Sequence, residues 1–230
     1  MSAAAHIDHL VIAAASLDAG VQWCEHTLGV TPGPGGQHPL MGTHNRLLNI
    51  ASPAYPSTYL EIIAIDSGAY QTINTGARRW FDLNCADLQR ILAADGPRLI
   101  HFVASTSSAT QGVQALESLG LDRGPLIKAS RTTPTGLLAW HITVRDDGQR
   151  LMNGTLPTLI EWAGVHPTQA MAASGLTLQS LRASHPEADL LRSAYRAIGL
   201  TSVGVSQGTA NLIATLNTPR GVVTLESQGF

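Results

Sequence analysis

The stretch HLVIAAASLDAGVQWCEHTLGV, residues 9–30, returns in altered form as HFVASTSSATQGVQALESLGL, residues 101–121. Each copy opens on a histidine, His9 or His101, that leads an apolar run, and in both a Gly-Val-Gln triplet begins 11 positions later, at Gly20 and Gly112. Leu28-Gly29 and Leu119-Gly120 close the copies with a one-residue slip. An internal repeat of this kind decides architecture before any motif is read. Val11-Ile12 and Val103 suit strands, Ser16-Leu17-Asp18 supplies a helix cap, and Gly29 or Gly120 suits the left-handed residue that ends a helix. Each copy therefore reads as strand, polar turn, helix and glycine stop.

Working outward, apolar segments broken by turn residues follow each helix. They are Leu47–Ile50 and Tyr59–Ile65 in the first half, with a break at Pro53 and Pro56 between them. In the second half they are Leu137–Val144 and Leu159–Trp162, separated by Asp146-Asp147-Gly148 and Asn153-Gly154. Thr75–Ala93 reads as an additional helix and connector, ended by Asp95-Gly96-Pro97. A weaker third copy aligns Gly199-Leu200 with Gly120-Leu121, which sets Ser180 where the other copies have histidine, and strands are predicted at Ser202–Val205, Asn211–Leu216 and Gly221–Ser227. The predicted fold class is α+β: paired βαβββ modules forming a curved mixed sheet around a cleft. The first module with its helical connector spans 1–93, the second 94–168, and a degenerate βαβββ-like half-module 175–230.

Composition narrows the function classes. Of 230 residues, 44% are hydrophobic and only 13% charged, which excludes a disordered or coiled-coil chain. With 14 basic against 16 acidic residues and no Lys/Arg-rich run, nothing tracks a phosphate backbone or an anionic bilayer, so neither nucleic acid nor membrane is an expected partner. Apolar runs such as Leu10–Ala15 are too short to span a bilayer. Cys24 and Cys85 lack metal or redox spacing, and Met-Ser-Ala-Ala-Ala-His at the start lacks an export signal, so a cytoplasmic, reducing location is expected. No nucleophile elbow, phosphate loop or dinucleotide fingerprint is present.

The chemistry-bearing residues follow the repeat. His9 is paired with Glu61 in Tyr59-Leu-Glu-Ile-Ile, and His101 with Glu161 in Leu159-Ile-Glu-Trp, at separations of 52 and 60 residues. If the modules face each other across a pseudo-twofold axis, two imidazoles and two carboxylates converge on one cleft. Such a set suits a divalent ion, Zn, Ni, Co, Mn or Fe, with positions left open for water or substrate. The opposing reading is a core or surface histidine and carboxylates that alternate to solvent.

Gly35-Gly36-Gln37-His38, Gly42-Thr43-His44-Asn45, Tyr59-Leu60-Glu61-Ile62-Ile63-Ala64, Arg131-Thr-Thr-Pro-Thr-Gly136 and Leu159-Ile160-Glu161-Trp162 resemble the glyoxalase-like domain proteins of the vicinal oxygen chelate superfamily. The resemblance covers about residues 6–168. It implies the glyoxalase I-type ligand set His9, Glu61, His101 and Glu161. It also implies a metal-dependent lyase or isomerase acting on a small, oxygenated, carbonyl-bearing molecule, with Glu161 as first choice of base and Glu61 as its partner. The extradiol dioxygenase ligand pattern does not fall on these positions, and no glutathione-binding residues are matched. His44, Asn45 and Arg131 are candidate substrate contacts, Arg131 for an anionic group on a loop. A binding or sequestration protein of the same fold without turnover is the alternative, and a homodimer is possible. His26, His141, His166 and His185 are assigned to surface or structural roles.

Overall fold

The computed structural model of the chain describes residues 4–68, 78–133 and 136–229. The first module runs β1 (His6–Ala13), α1 (Leu17–Thr27), the short β2 (Gln37–His38), β3 (Thr43–Asn49) and β4 (Tyr59–Ile65). Helix α2 (Ala86–Asp95) leads into the second, with β5 (Arg98–Ser105), α3 (Ala109–Glu117), β6 (Leu126–Thr133), β7 (Gly136–Thr143) and β8 (Thr158–Trp162). The chain then forms β9 (Thr177–His185), α4 (Ala188–Ala197), β10 (Gly204–Gln207), β11 (Asn211–Thr218) and β12 (Gly221–Glu226).

The helix boundaries have local causes. Ser16 Oγ accepts from the Ala19 N–H and Ser108 Oγ from the Gln111 N–H, each holding a donor that the first turn leaves free. Gly29, Gly120 and Gly199 stop α1, α3 and α4 with φ of 77°, 75° and 68°, a region glycine enters without Cβ strain. Leu121 and Leu200 then donate back to the Leu116 and Tyr195 carbonyls, the same closing bond in two copies.

The first two modules share one eight-stranded sheet, ordered β2-β3-β4-β1-β5-β8-β7-β6, which curls strongly into a half-barrel. Its centre is the antiparallel pair β1 and β5, in which Leu10 lies opposite Phe102. These two residues hold matching places in the two similar stretches of sequence, 92 positions apart. The sheet is apolar on both faces. Leu10, Ile12, Leu60, Ile62 and Phe102 belong to the outer core, while Val11, Ile63, Val103 and Ile160 belong to the inner one. Each fully buried side chain of this size contributes roughly 1.5–3 kcal/mol. Helix α2 fills part of the half-barrel's inside with Leu88 and Leu92.

The Gly-Val-Gln triplets explain themselves here. A Cβ on Gly20 would stand 2.4 Å from Ile62 Cγ2, and one on Gly112 would stand 2.7 Å from Leu159 Cδ1. Each glycine is where a helix presses onto the last strand of its own module.

The third module has the same element order as the others but a different sheet, β10-β9-β11-β12. Its first strand is central, whereas β1 and β5 each pair with the last strand of their module. It does not complete an edge of the large sheet. Instead Leu181, Leu212 and Leu216 join the outer core. Tyr195 Oη donates to the Thr155 carbonyl at 2.6 Å, and the Leu178 N–H donates to Ile50 at 2.8 Å. The third module and the outer face of the large sheet thus share one apolar core.

Two local expectations are corrected. Of the predicted helix Thr75–Ala93, residues 75–77 lie outside the described residues, and the helix itself begins only at Ala86. Phe81 and Asp82 adopt φ of 58° and 57°, which no right-handed helix continues through. The Asp82 carboxylate there pairs with Arg150 at 2.9 Å. The run from Arg131 to Gly136, of which Pro134 and Thr135 are not described, is no loop at its start: Arg131 sits on β6, paired with Leu138 of β7. Among the described residues no helix is long and apolar enough to cross a membrane.

Candidate active site

The β1–β5 ladder slips twice, between Ile7 and His9 and between Val11 and Ile12, so that Asp8 in β1 and Ile100 in β5 are extra residues. Such bulges re-aim the side chains beside them. Each bulge residue directly precedes the histidine of its copy, and both histidines are turned to the inner face by the same device. What differs is the chemistry of the bulge: a carboxylate before His9, a hydrocarbon before His101.

That carboxylate organises the first half-site. Asp8 Oδ1 accepts from His9 Nδ1 at 2.7 Å, and Oδ2 accepts from Trp162 Nε1 at 2.8 Å and His166 Nε2 at 3.1 Å. Burial alone would raise its pKa, but the hydrogen bonds from His166 and His9 outweigh it and lower the carboxyl to about 2. With its Nδ1 proton committed to Asp8, His9 presents the Nε2 lone pair. This atom faces Glu61 Oε2 at 3.7 Å, too far for a hydrogen bond. Glu61 is aimed by Asn45, whose Nδ2 donates to Oε1 at 2.6 Å and whose Oδ1 accepts from the Gly36 N–H at 2.8 Å. The Tyr59 ring stacks on the His9 ring at 4.4 Å, and burial, then the charges of Asp8 and Glu61, hold its phenol well above 10. Burial likewise lowers His38 to about 4, partly offset by Glu61, so this neighbour is neutral near pH 7.

These groups line a cavity of about 40 Å³ on the inner face, walled by Trp80, Phe81, Trp140 and Trp162, with Arg131 reaching in from β6. A far larger groove of about 570 Å³ runs past Glu117, Asp122 and Asp147, but it contains none of this array. Asp147 and Asp122 there pair with Arg145, at 2.6 Å and 3.3 Å, and Glu117 is exposed. The small cavity, where polar groups converge among aromatic walls, is the candidate site.

The second half-site is different. His101 is fully buried with both ring nitrogens engaged: Nδ1 with the Gly154 carbonyl at 2.8 Å, and Nε2 with Thr158 Oγ1 at 3.0 Å and the Thr158 N–H at 3.1 Å. Burial, then the nearby Arg123 charge, pushes its pKa well below the ordinary value, so it is a neutral ring with its lone pair in use. The symmetric counterpart of Glu61 is Thr158. Val11 pairs with Glu61 and its equivalent Val103 pairs with Thr158, while the next residues, Ile62 and Leu159, meet Gly20 and Gly112. Glu161 lies three positions further along β8, on the outer face beside Leu159. There its Oε2 accepts from the Ala109 N–H at 2.8 Å, at the first turn of α3. The structure thus brings His9 and Glu61 together and leaves Glu161 on the opposite face.

This bears directly on the four-ligand expectation. Among the described residues no group of three or more His, Cys, Asp or Glu side chains is arranged to hold a metal ion. His101 has no free lone pair and Glu161 points away, so the donor set of His9, Glu61, His101 and Glu161 does not fit one ion. His44 is not brought into the cleft either, because Thr43, Asn45 and Leu47 of β3 face inward and His44 alternates outward.

A family model for the glyoxalase-like domain matches residues 7–199. The chain belongs to the glyoxalase-like domain family. No curated protein matches it. Among solved structures, a hypothetical protein from Staphylococcus aureus is 12% identical with a TM-score of 0.55, over 96% of this chain and 85% of that one. A Streptomyces coelicolor methylmalonyl-CoA epimerase variant in complex with 2-nitronate-propionyl-CoA is 17% identical, over 71% of this chain and 100% of that one, at a TM-score of 0.42. A Mycobacterium tuberculosis methylmalonyl-CoA epimerase is 17% identical, over 73% and 92%, at 0.38. The Staphylococcus aureus protein shares the fold.

In this glyoxalase-like chain nothing in the sequence alone assigns Asp8, His38, Tyr59, Phe81, Trp140 or Trp162 to the site. Asp8 carries a signal in hindsight, a carboxylate next to His9 in a strand that is otherwise apolar and buried. His166 has a structural role as expected, but one that bears on the site through Asp8.

Proposed function

We propose that the chain is an isomerase- or lyase-type enzyme that moves a proton on a small, oxygenated, carbonyl-bearing molecule held in the inner cleft. One observation carries this reading: His9 Nε2 and Glu61 Oε2 face one another across 3.7 Å without a bond between them, while their other polar atoms are fixed by Asp8 and Asn45. Oriented bases that open on a small, aromatic-walled space suit proton abstraction next to a carbonyl. Glu61 takes the proton from carbon through Oε2. The electron pair of the broken C–H bond moves onto the carbonyl oxygen as an enolate. His9 relays the proton through Nε2, its imidazolium form stabilised by Asp8, and returns it to the neighbouring carbon or oxygen. In this reading Glu61, not Glu161, is the base, and Asn45 positions it. The four expected ligands do not fit one ion, and Glu61 and His9 move the proton themselves.

The aromatic walls favour the second reading, a binding protein without turnover. Incubation of the protein with carbonyl compounds in D2O, read by proton NMR, separates the two. Deuterium incorporation at the carbon next to the carbonyl, lost in Glu61→Gln and reduced in His9→Ala, supports the enzyme. Ligand-induced thermal stabilisation with no exchange in any case supports binding alone. Unpaired Cys24 and Cys85 fit the cytoplasmic setting that we propose for it.

A further inference from the structure

Three polar donors in the cleft wall are left over after every internal bond is made. Arg131 Nε, Arg131 Nη1 and Trp80 Nε1 are buried with no hydrogen-bond partner, and both side chains line the same cavity as His9 and Glu61. Buried donors without acceptors are costly and uncommon, and a guanidinium without an anion more so. Among the described residues no carboxylate pairs with Arg131. Glu61, the acid in the same cavity, spends one oxygen on Asn45 and turns the other to His9. The chain also makes room for this arginine. A Cβ on Gly36 would fall 2.1 Å from Arg131 Nη1, and one on Gly35 would fall 1.9 Å from the Asn45 carbonyl oxygen. The Gly35-Gly36 pair thus lets the β2 edge of the half-barrel close against β6 with the guanidinium tucked between them.

We infer that the substrate carries a carboxylate, received by Arg131 and Trp80, and that it is a short oxocarboxylic acid whose carbonyl-flanking C–H is turned toward Glu61. Three donors without acceptors call for a ligand that brings several acceptor oxygens and one negative charge. A single guanidinium with no second cation or helix N-terminus in the lining suits a carboxylate rather than a phosphate dianion. The cavity is small, about 40 Å³, which limits the body to a few heavy atoms. This rests on the acid–base reading of the same cleft and adds the substrate class to it.

The test uses the full chain with pyruvate, its neutral isostere pyruvamide, and inorganic phosphate. Binding is followed by saturation-transfer NMR and methyl deuteration in D2O on the same samples. Pyruvate is expected to bind at least ten-fold more tightly than pyruvamide, with Arg131→Gln abolishing that preference and Glu61→Gln retaining binding while losing exchange. The comparison of pyruvate with pyruvamide on the unaltered protein needs no variant, so a misfolded Arg131→Gln leaves the test intact. Equal binding of both compounds, no binding of pyruvate at millimolar concentration, or a preference for phosphate overturns the inference. Exchange on a neutral ketone that ignores Arg131 overturns it while sparing the proton-transfer reading. Arg131-dependent binding without exchange does the reverse.

Discussion

Replacing Glu161 by Ala asks whether this side chain serves chemistry or the helix beneath it. The carboxylate accepts from the Ala109 N–H at 2.8 Å, and no side chain of α3 takes over that donor, since Ser108 Oγ is occupied by Gln111 at 3.4 Å. A hydrogen bond to a charged acceptor contributes about 1.5–3 kcal/mol when buried, and a negative charge at a helix N-terminus about 0.3–1 kcal/mol. Glu161 is only half-buried, so solvent screening reduces both, and about 1–2 kcal/mol is expected for their loss. For a chain of this size each kcal/mol moves Tm by about 2–4 °C, which gives a fall of roughly 2–8 °C. The assay is a thermal melt together with a urea titration, in which the midpoint falls at constant m. Deuterium exchange per folded molecule is expected to stay at the unaltered level. A variant that melts like the unaltered protein but has lost exchange would refute the placement of Glu161 outside the chemistry, and with it the assignment of Thr158 as the counterpart of Glu61.

Asp8→Asn tests the carboxylate behind His9. Its folded pKa of about 2 lies below the ordinary 3.8, so its stabilisation is full above pH 4 and is lost as pH falls toward 2. The variant is expected to be less stable by about 2 kcal/mol near pH 7 and to lose less stability than the unaltered protein between pH 4 and 2, read from urea midpoints across that range. Gly20→Ala drives a methyl to 2.4 Å from the stiff, β-branched Ile62 and should destabilise by about 1–2 kcal/mol. Gly112→Ala meets only the movable Leu159 Cδ1 at 2.7 Å, so the gain of about 1 kcal/mol in helix propensity should leave its melting point nearly unchanged. Burial raises the Cys24 thiol to about 12 while Cys85 is exposed. A disulfide exchange reagent should therefore label one thiol in the native protein and a second only as urea unfolds it.

Asp8 and Arg131 show why part of the candidate site was hidden in the sequence. A lone Asp beside a His has many readings until the bulge at Asp8 fixes where both side chains go. Arg131 reads as a loop cation in a polar run, and only the curl of the sheet carries β6 to Gly36 and closes the cavity around its guanidinium. Glu161 fails for the opposite reason. It has the right residue type at nearly the right spacing, 60 residues after His101 against 52 between His9 and Glu61, but strand side chains alternate. An offset of three from the true counterpart puts it on the wrong face.

The sequence by itself determined the helix caps and glycine stops, and the family, because these are local: each depends on a few neighbouring residues and on backbone conformations that Ser, Asp and Gly favour wherever they occur. It also determined that His9 and Glu61 belong to one module. Which face each side chain took, which histidine kept a free lone pair, and where the third module packed were decided by the tertiary structure. They depend on register, on two bulges and on which apolar surfaces meet, and those are properties of strands distant in sequence meeting in space.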